Sequence, residues 1–335
     1  MNEILEVFLN IVKGKVVEFR PLFTFWRQFP LNEQSPKELA EAHIDFYNNF
    51  KFDFLKISPP AGFLAVDFGC KLSKQFNDNG MRDCENYPIK SLCDWEEIEE
   101  ISPLEGFMGK QLELIKIIHR QLECVPKIIP LWTPLKLAHA IDHQFQFHFK
   151  KEPNLVMEGV RVLYHVIEEF ALSAVDMGAN GVFIESSPLN ITEESLIKDE
   201  FLRFDLLIYR KLLQRVRHYS DFVILRIETN NNHFGKILPI LPSDGINWDS
   251  KKANLGINAV SKIYNGVLVT GISNEIVVDG NVEDIREETY DLIKQSYNLN
   301  NRLIIAPNNT LSVSAPRWKL EIIGRIIKNE EVKAD

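Results

Sequence analysis

The sequence predicts an α/β protein built as a single (β/α)8 barrel. Short runs of β-branched and aromatic residues alternate with longer segments of helical period. A helical segment follows nearly every run, and no Gly/Ser-rich linker divides the 335 residues. We therefore expect one barrel domain over residues 1–335 rather than two domains. A doubly wound open sheet is the runner-up.

Eight apolar runs have the length and composition of buried parallel strands. In chain order they are Leu22–Trp26, Phe54–Ser58, Lys127–Trp132, Gly181–Glu185, Phe222–Ile227, Gly245–Trp248, Gly266–Thr270 and Arg302–Ala306.

Local signals mark where several helices begin. Residues 1–12 are apolar, but acidic residues interrupt them and no cleavage site follows, which predicts an amphipathic N-terminal helix rather than a signal peptide. Ser35 and Ser102 are each followed by proline and, three residues on, by glutamate, so both predict a capped helix start. Asn281, followed by acidic residues, predicts another.

The segment 59–101 interrupts this regular alternation. It contains Gly62, Gly69, the turn sequence Asn77–Gly80 and Pro88, and shows little regular period. Loops of such length are usually functional. Because the segment follows the second strand, we expect it at the carboxyl ends of the strands, where barrels build their sites.

Composition limits the partners. The formal net charge is −9, from 38 Lys and Arg against 47 Asp and Glu, and no basic stretch opposes it. This argues against nucleic acid or an anionic membrane and favours a small ligand.

No uncharged apolar run reaches the ~18 residues of a membrane span. The four cysteines form no C-x-x-C pair, so we expect no disulfide framework and a cytoplasmic location. The sequence leaves a homodimer open.

Polar residues at strand ends are the candidates for chemistry. Arg27 and Gln28 follow the first strand, and arginine suits bidentate recognition of carboxylate or phosphate. Arg226 and Glu228 are two residues apart at the end of the fifth strand, hence on one face. They could bind a polar ligand or form a purely structural ion pair.

Further candidates follow other strands. Ser186 and Asn309 place small polar groups after the fourth and eighth strands. His139 and His143 are four apart in a segment of helical pattern, a spacing that a metal pair uses, although a single solvent-facing histidine is the commoner meaning. The chain has no G-x-S-x-G, P-loop or G-x-G-x-x-G motif.

Several segments at these strand ends resemble the uroporphyrinogen decarboxylase superfamily, which includes the corrinoid-dependent methyltransferases acting on coenzyme M. The resemblance implies a single (β/α)8 barrel. The matching segments run in family order over nearly the whole chain: Phe25–Gln28, Val66–Gly69, Leu131–Ala138, Met177–Phe183, Asp244–Asp249, Ala306–Asn309 and Ala315–Pro316.

The two branches of the superfamily imply different sites. The decarboxylase pattern corresponds to Arg27, Gln28 and Ser186 here, whereas its tyrosine falls at His139 and its late histidine at Asn309. The methyltransferase branch binds zinc at positions that correspond to Arg226, Glu228 and Asn309. A guanidinium repels a metal ion, so we predict no metal.

We therefore hypothesise a cofactor-free, decarboxylase-like lyase that binds a carboxylated, tetrapyrrole-like substrate. His139, Arg226 and Glu228 would be catalytic, with His139 as acid or base near neutral pH; Arg27, Gln28, Ser186 and Asn309 would bind substrate. One alternative is methyl transfer with a corrinoid protein as partner and an altered zinc site. Another is an inactive barrel that only binds a ligand.

Overall fold

The computed structural model describes residues 3–186, 200–228, 238 and 241–329. The helices in this part of the chain are α1 Glu3–Val12, α2 Pro36–Phe50, α3 Phe63–Val66, α4 Leu92–Glu96, α5 Gly106–Gln121, α6 Pro134–Ile141, α7 Phe145–Lys151, α8 Pro153–Asp176, α9 Glu200–Tyr219, α10 Ile257–Val260, α11 Asn274–Val278, α12 Val282–Asn298 and α13 Arg317–Ile327. The strands are β1 Leu55–Lys56, β2 Lys127–Trp132, β3 Gly181–Glu185, β4 Phe222–Ile227, β5 Gly245–Trp248, β6 Val267–Ile272 and β7 Leu303–Pro307.

The strands form one parallel sheet in the order β1 to β7, so each strand pairs with the next along the chain. A doubly wound sheet would instead reverse its strand order at a switch point. The (β/α)8 class is therefore confirmed. Seven of the eight predicted strands are present, and each begins and ends within two residues of its predicted bounds.

The first predicted strand, Leu22–Trp26, is an extended segment rather than a regular strand. It lies between β7 and β1: the Thr24 amide donates to the Ile305 carbonyl at 3.0 Å, and the Asp53 amide donates to the Phe23 carbonyl at 2.9 Å. The Phe23 amide, however, donates to the Asp53 carboxylate at 2.8 Å. A side chain thus replaces a backbone partner, and the segment closes the ring without a continuous ladder.

Alternate residues of the strands form two separate cores. Those facing outward pack under the helices, and those facing inward fill the ring. The inward set ends at α1, where Phe8 packs its ring 4.3 Å from that of Phe222 and 6.1 Å from that of Phe54. Because Phe222 begins β4, the N-terminal helix lies across the amino ends of the strands. The inner cluster comprises Phe8, Ile11, Leu22, Trp26, Phe54, Ile128, Phe183, Phe222, Ile224, Val267, Val269, Ile304 and Ala306.

Two of the three predicted helix starts are confirmed. The Ser35 hydroxyl accepts a hydrogen bond from the Glu38 amide, and Asn281 forms a capping box with Asp284. The prediction at Ser102 is wrong by three residues, because the N-cap of α5 is Glu105 and the helix begins at Gly106. The carboxylate of Asp67, in the long loop, accepts hydrogen bonds at 2.7 Å from the amides of residues 107 and 108 and supplies the cap instead.

His43 connects α2 to the end of β1. Its Nδ1 atom lies 2.7 Å from the Leu39 carbonyl oxygen, and its Nε2 atom accepts a hydrogen bond from the Ser58 amide at 2.8 Å. The ring is therefore neutral, with its proton on Nδ1. Burial lowers the pKa of His43 to about 4, and the charge of Lys56 adds to this shift while the Leu39 carbonyl opposes it.

Acid should therefore destabilise the fold through His43. The unfolded chain takes up a proton near pH 6.5 and the folded chain only near pH 4, so stability falls as the pH decreases through this window. We expect a loss of about 2 kcal/mol between pH 7 and pH 5 in urea titrations. His43→Gln should remove this component, whereas His143→Gln, at an exposed ring, should retain it. An equal fall in His43→Gln would assign the effect to other groups.

Candidate functional site

A cavity of about 80 Å³ opens at the carboxyl ends of the strands. Its walls are aromatic and proline side chains from the strands, with Trp26, Pro130, Trp132 and Phe183 among them. The polar groups reaching it are Gln28, Lys56, Lys136, Glu185, Arg226, Glu228, Asn247, Asn309 and Thr310. Apolar walls with a few convergent polar groups are typical of ligand-binding sites.

Three of these polar side chains belong to one cross-strand row. The register pairs Glu185 of β3 with Arg226 of β4, and Arg226 with Asn247 of β5. All three positions line the cavity. The row thus lies at the carboxyl edge of the sheet, above the apolar inner cluster.

Arg226 is 6% exposed and is held by its surroundings. One Nη atom donates to the Asn247 side-chain oxygen at 2.6 Å and also to the Asn308 carbonyl. The Asn247 amide nitrogen donates in turn to the carbonyls of Val269 and Pro307, which fixes the orientation of its oxygen. Burial lowers the pKa of Arg226, and Glu228 and Glu185 oppose the shift; a guanidinium nevertheless remains protonated.

Glu185 interacts with two lysines. Its carboxylate lies 3.2 Å from Lys136 Nζ and 3.8 Å from Lys56 Nζ. Burial alone would raise the pKa of Glu185, but Lys136 and then Lys56 outweigh that effect and lower it. Glu185 is therefore ionised. Among the charged side chains that the structure places at the cavity, three are cationic and two are carboxylates, which leaves one excess positive charge.

The long loop contributes the outer wall. Residues 59–63 and Met81 line the cavity. The loop is fastened across the mouth, because the Asp78 carbonyl accepts hydrogen bonds from the Val313 amide and the Ser312 hydroxyl. Gly80, at φ 75°, makes this approach possible, since a Cβ atom there would lie 2.6 Å from Gln28 Cβ. The loop thus covers the site, where its position in the sequence predicts it.

Four of the seven predicted site residues line the cavity: Gln28, Arg226, Glu228 and Asn309. Arg27 does not. Its guanidinium donates to the Val313 carbonyl at 2.6 Å, and the side chain lines a separate outer cavity between α2 and α13. Because Trp26 faces into the barrel, strand alternation directs Arg27 outward.

Ser186 and His139 also lie outside the cavity lining. The Ser186 hydroxyl is buried and donates to the Arg226 carbonyl at 3.4 Å. His139 packs its ring 4.6 Å from that of Phe145 at the start of α7, and burial lowers its pKa. His143 lies beyond the end of α6 beside Tyr87, so the two histidines do not share a helical face.

Sequence reasoning did not assign Lys56, Lys136, Glu185 or Asn247 to the site. Lys56 had a readable signal: it stands between Phe54 and Ser58 within an otherwise apolar strand, on the inward-facing period. Lys136 and Asn247 had none, because a single polar residue in a helix or strand does not reveal its neighbours.

The side chains at the mouth do not fit a zinc ion. The positions that the resemblance assigns to zinc ligands hold Arg226, Glu228 and Asn309, and a guanidinium has no lone pair to donate. Within residues 3–186, 200–228, 238 and 241–329, no three His, Cys, Asp or Glu side chains are grouped so that they could hold a metal ion.

Comparisons with known proteins agree with this fold. The sequence model of the uroporphyrinogen decarboxylase (URO-D) family matches residues 16–328. A methyltransferase from Methanosarcina mazei superposes with a TM-score of 0.82 at 16% identity, over 98% of this chain and 99% of that chain. A B12-independent methionine synthase from Shewanella sp. W3-18-1 gives 0.57 at 12% identity, over 92% and 94%. At sequence identities this low, the comparisons show only that the proteins share a fold. A sequence search of curated proteins gave no match.

None of the helices in the described ranges is long and apolar enough to cross a bilayer.

Proposed function

The chain belongs to the uroporphyrinogen decarboxylase family, and from this premise we propose that its barrel mouth binds a carboxylated substrate and catalyses a cofactor-free lyase reaction. The observation that carries the proposal is the pair of buried cations, Lys56 and Arg226, at a cavity with a net positive lining. In a site of low dielectric, such cations bind an anion strongly.

The residues divide into two roles. Arg226 is permanently charged and held in place by Asn247, so it suits recognition of a carboxylate. Lys56 suits proton transfer, because burial lowers its pKa, with Arg226 and Lys136 adding to the shift and Glu185 opposing it. Gln28 and Asn309 offer hydrogen bonds at the rim.

The size of the site bears on the substrate. The lining places three cations around a cavity of about 80 Å³, which fits one or two carboxylate groups rather than a whole uroporphyrinogen with its many carboxylates. We therefore propose a small carboxylic acid, or a single carboxylate arm of a larger molecule. Loss of carbon dioxide leaves an electron pair on carbon, and a proton from Lys56 could quench it.

The proposal is tested by measuring carbon dioxide release from a panel of acids: acetoacetate, oxaloacetate, coproporphyrinogen and uroporphyrinogen. We expect turnover of at least one acid without added corrinoid protein, its loss in Lys56→Met, and its retention in Lys294→Met, a matched change at an exposed lysine of α12. Methyl transfer that requires a corrinoid protein, or tight binding without turnover, would replace the lyase proposal.

A further inference from the structure

Lys56 differs from the other buried lysines in the described part of the chain. Lys127 donates from Nζ to the carbonyls of Leu122 and Val125, and Lys319 donates to those of Val278 and Gly280. These two ammonium groups are satisfied by the backbone, as buried donors generally are.

Lys56 has no such arrangement. It is 4% exposed, yet Nζ has no hydrogen-bond acceptor among the described residues; its nearest carboxylate oxygen, on Glu185, is 3.8 Å away. Nζ instead lies 4.7 Å from the centre of the Phe183 ring and borders the cavity. Lys56 is thus held by one long ion pair rather than by backbone acceptors, and it borders the cavity where a substrate would bind.

The surroundings of Lys56 make the proton of its ammonium group easier to remove. Apolar rings cover one side, and two further cations, Arg226 and Lys136, line the same cavity. Burial lowers the pKa of Lys56, and both cations lower it further against the opposing charge of Glu185. Desolvation together with a neighbouring cation is how proteins convert lysine into a nucleophile.

We propose that Lys56 is a nucleophile that forms an imine with a carbonyl group of the substrate, which makes the substrate an oxo acid. The inference rests on the proposed function and specifies its substrate class. A carbonyl one carbon removed from the carboxylate supplies what the lining alone lacks, namely an acceptor for the electron pair released with carbon dioxide.

The chemistry balances without an external oxidant, reductant or metal. Glu185, 3.8 Å away, can take the proton that frees the Lys56 amine. The nitrogen then bonds to the carbonyl carbon, and Glu185 returns its proton as the carbonyl oxygen leaves as water, which gives an iminium ion. In a 3-oxo acid, the bond to the carboxylate breaks next, and its electron pair forms a carbon–carbon double bond as the iminium nitrogen accepts the displaced pair. A proton from solvent water adds to carbon, and water hydrolyses the resulting iminium ion to release the product and the lysine.

Reductive trapping tests this directly. The full-length protein is incubated with acetoacetate or oxaloacetate and sodium cyanoborohydride, and the modified lysine is located by peptide mass spectrometry. We expect a reduced adduct on Lys56, its loss in Lys56→Arg, and its persistence in Lys294→Arg, at an exposed lysine of α12. Malonate, an acid without a ketone, should protect Lys56 by occupying the cavity.

The possible outcomes distinguish this inference from the proposed function on which it rests. If malonate and the oxo acids bind by calorimetry but no adduct appears on Lys56, the nucleophile is excluded and carboxylate binding stands. An adduct on Lys136 or only on surface lysines excludes it equally. If no carboxylate binds and no adduct appears, both proposals fail.

Discussion

Arg226→Met is expected to lower kcat/KM for a carboxylated substrate by about 100-fold, because losing a charged contact in a buried site costs roughly 3 kcal/mol. Arg226 lines the cavity, is 6% exposed and is fixed by Asn247. The loss should appear as a higher KM together with a lower kcat if the contact strengthens in the transition state.

Two controls make this result interpretable. Arg226 also donates to the Asn308 carbonyl, so the methionine variant will lose stability, and its folded fraction must be measured by thermal unfolding at the assay temperature. Arg226→Lys keeps the charge but not the planar fork and should recover only part of the activity. Arg325→Met, at an exposed position of α13, should be unchanged. Wild-type kinetics in Arg226→Met would remove this residue from the site.

Phe8→Ala is expected to lower the free energy of unfolding by about 3–5 kcal/mol, the usual cost of removing a buried aromatic ring. The ring of Phe8 is 2% exposed and packs on Phe222 and Phe54 at the amino ends of the strands. Removing it leaves a cavity under the barrel that the surrounding strands, tied in a ring, cannot collapse to fill.

Urea titration measures this effect. Phe8→Leu should lose less, and Glu6→Ala, exposed on the same helix, should change little. A loss below about 1 kcal/mol for Phe8→Ala would mean that α1 contributes little to the inner core.

Most of the strands could be predicted from the sequence, because buried parallel strands consist of continuous runs of apolar residues. Lys127–Trp132 and Phe222–Ile227 are strands with the predicted bounds. Leu22–Trp26 has the same composition, but its regular pairing is interrupted by the Asp53 carboxylate, a contact 30 residues away that no local pattern reveals.

Fewer of the site residues could be predicted from the sequence, because some of them come together only through tertiary structure. The alternation of strand residues correctly places Arg226 and Glu228 on one face at the cavity. The same rule, applied from Trp26, would have directed Arg27 outward. Lys136 and Asn247 reach the site only because helix α6 begins, and strand β5 ends, at the same edge of the sheet, and that depends on tertiary structure.

A crystal structure of the protein soaked with malonate tests the central claim most directly. A carboxylate should lie within hydrogen-bond distance of Lys56 Nζ and of an Arg226 guanidinium nitrogen, inside the barrel mouth. Malonate bound instead in the outer cavity beside Arg27 and Arg317, with none at Lys56 and Arg226, would contradict it.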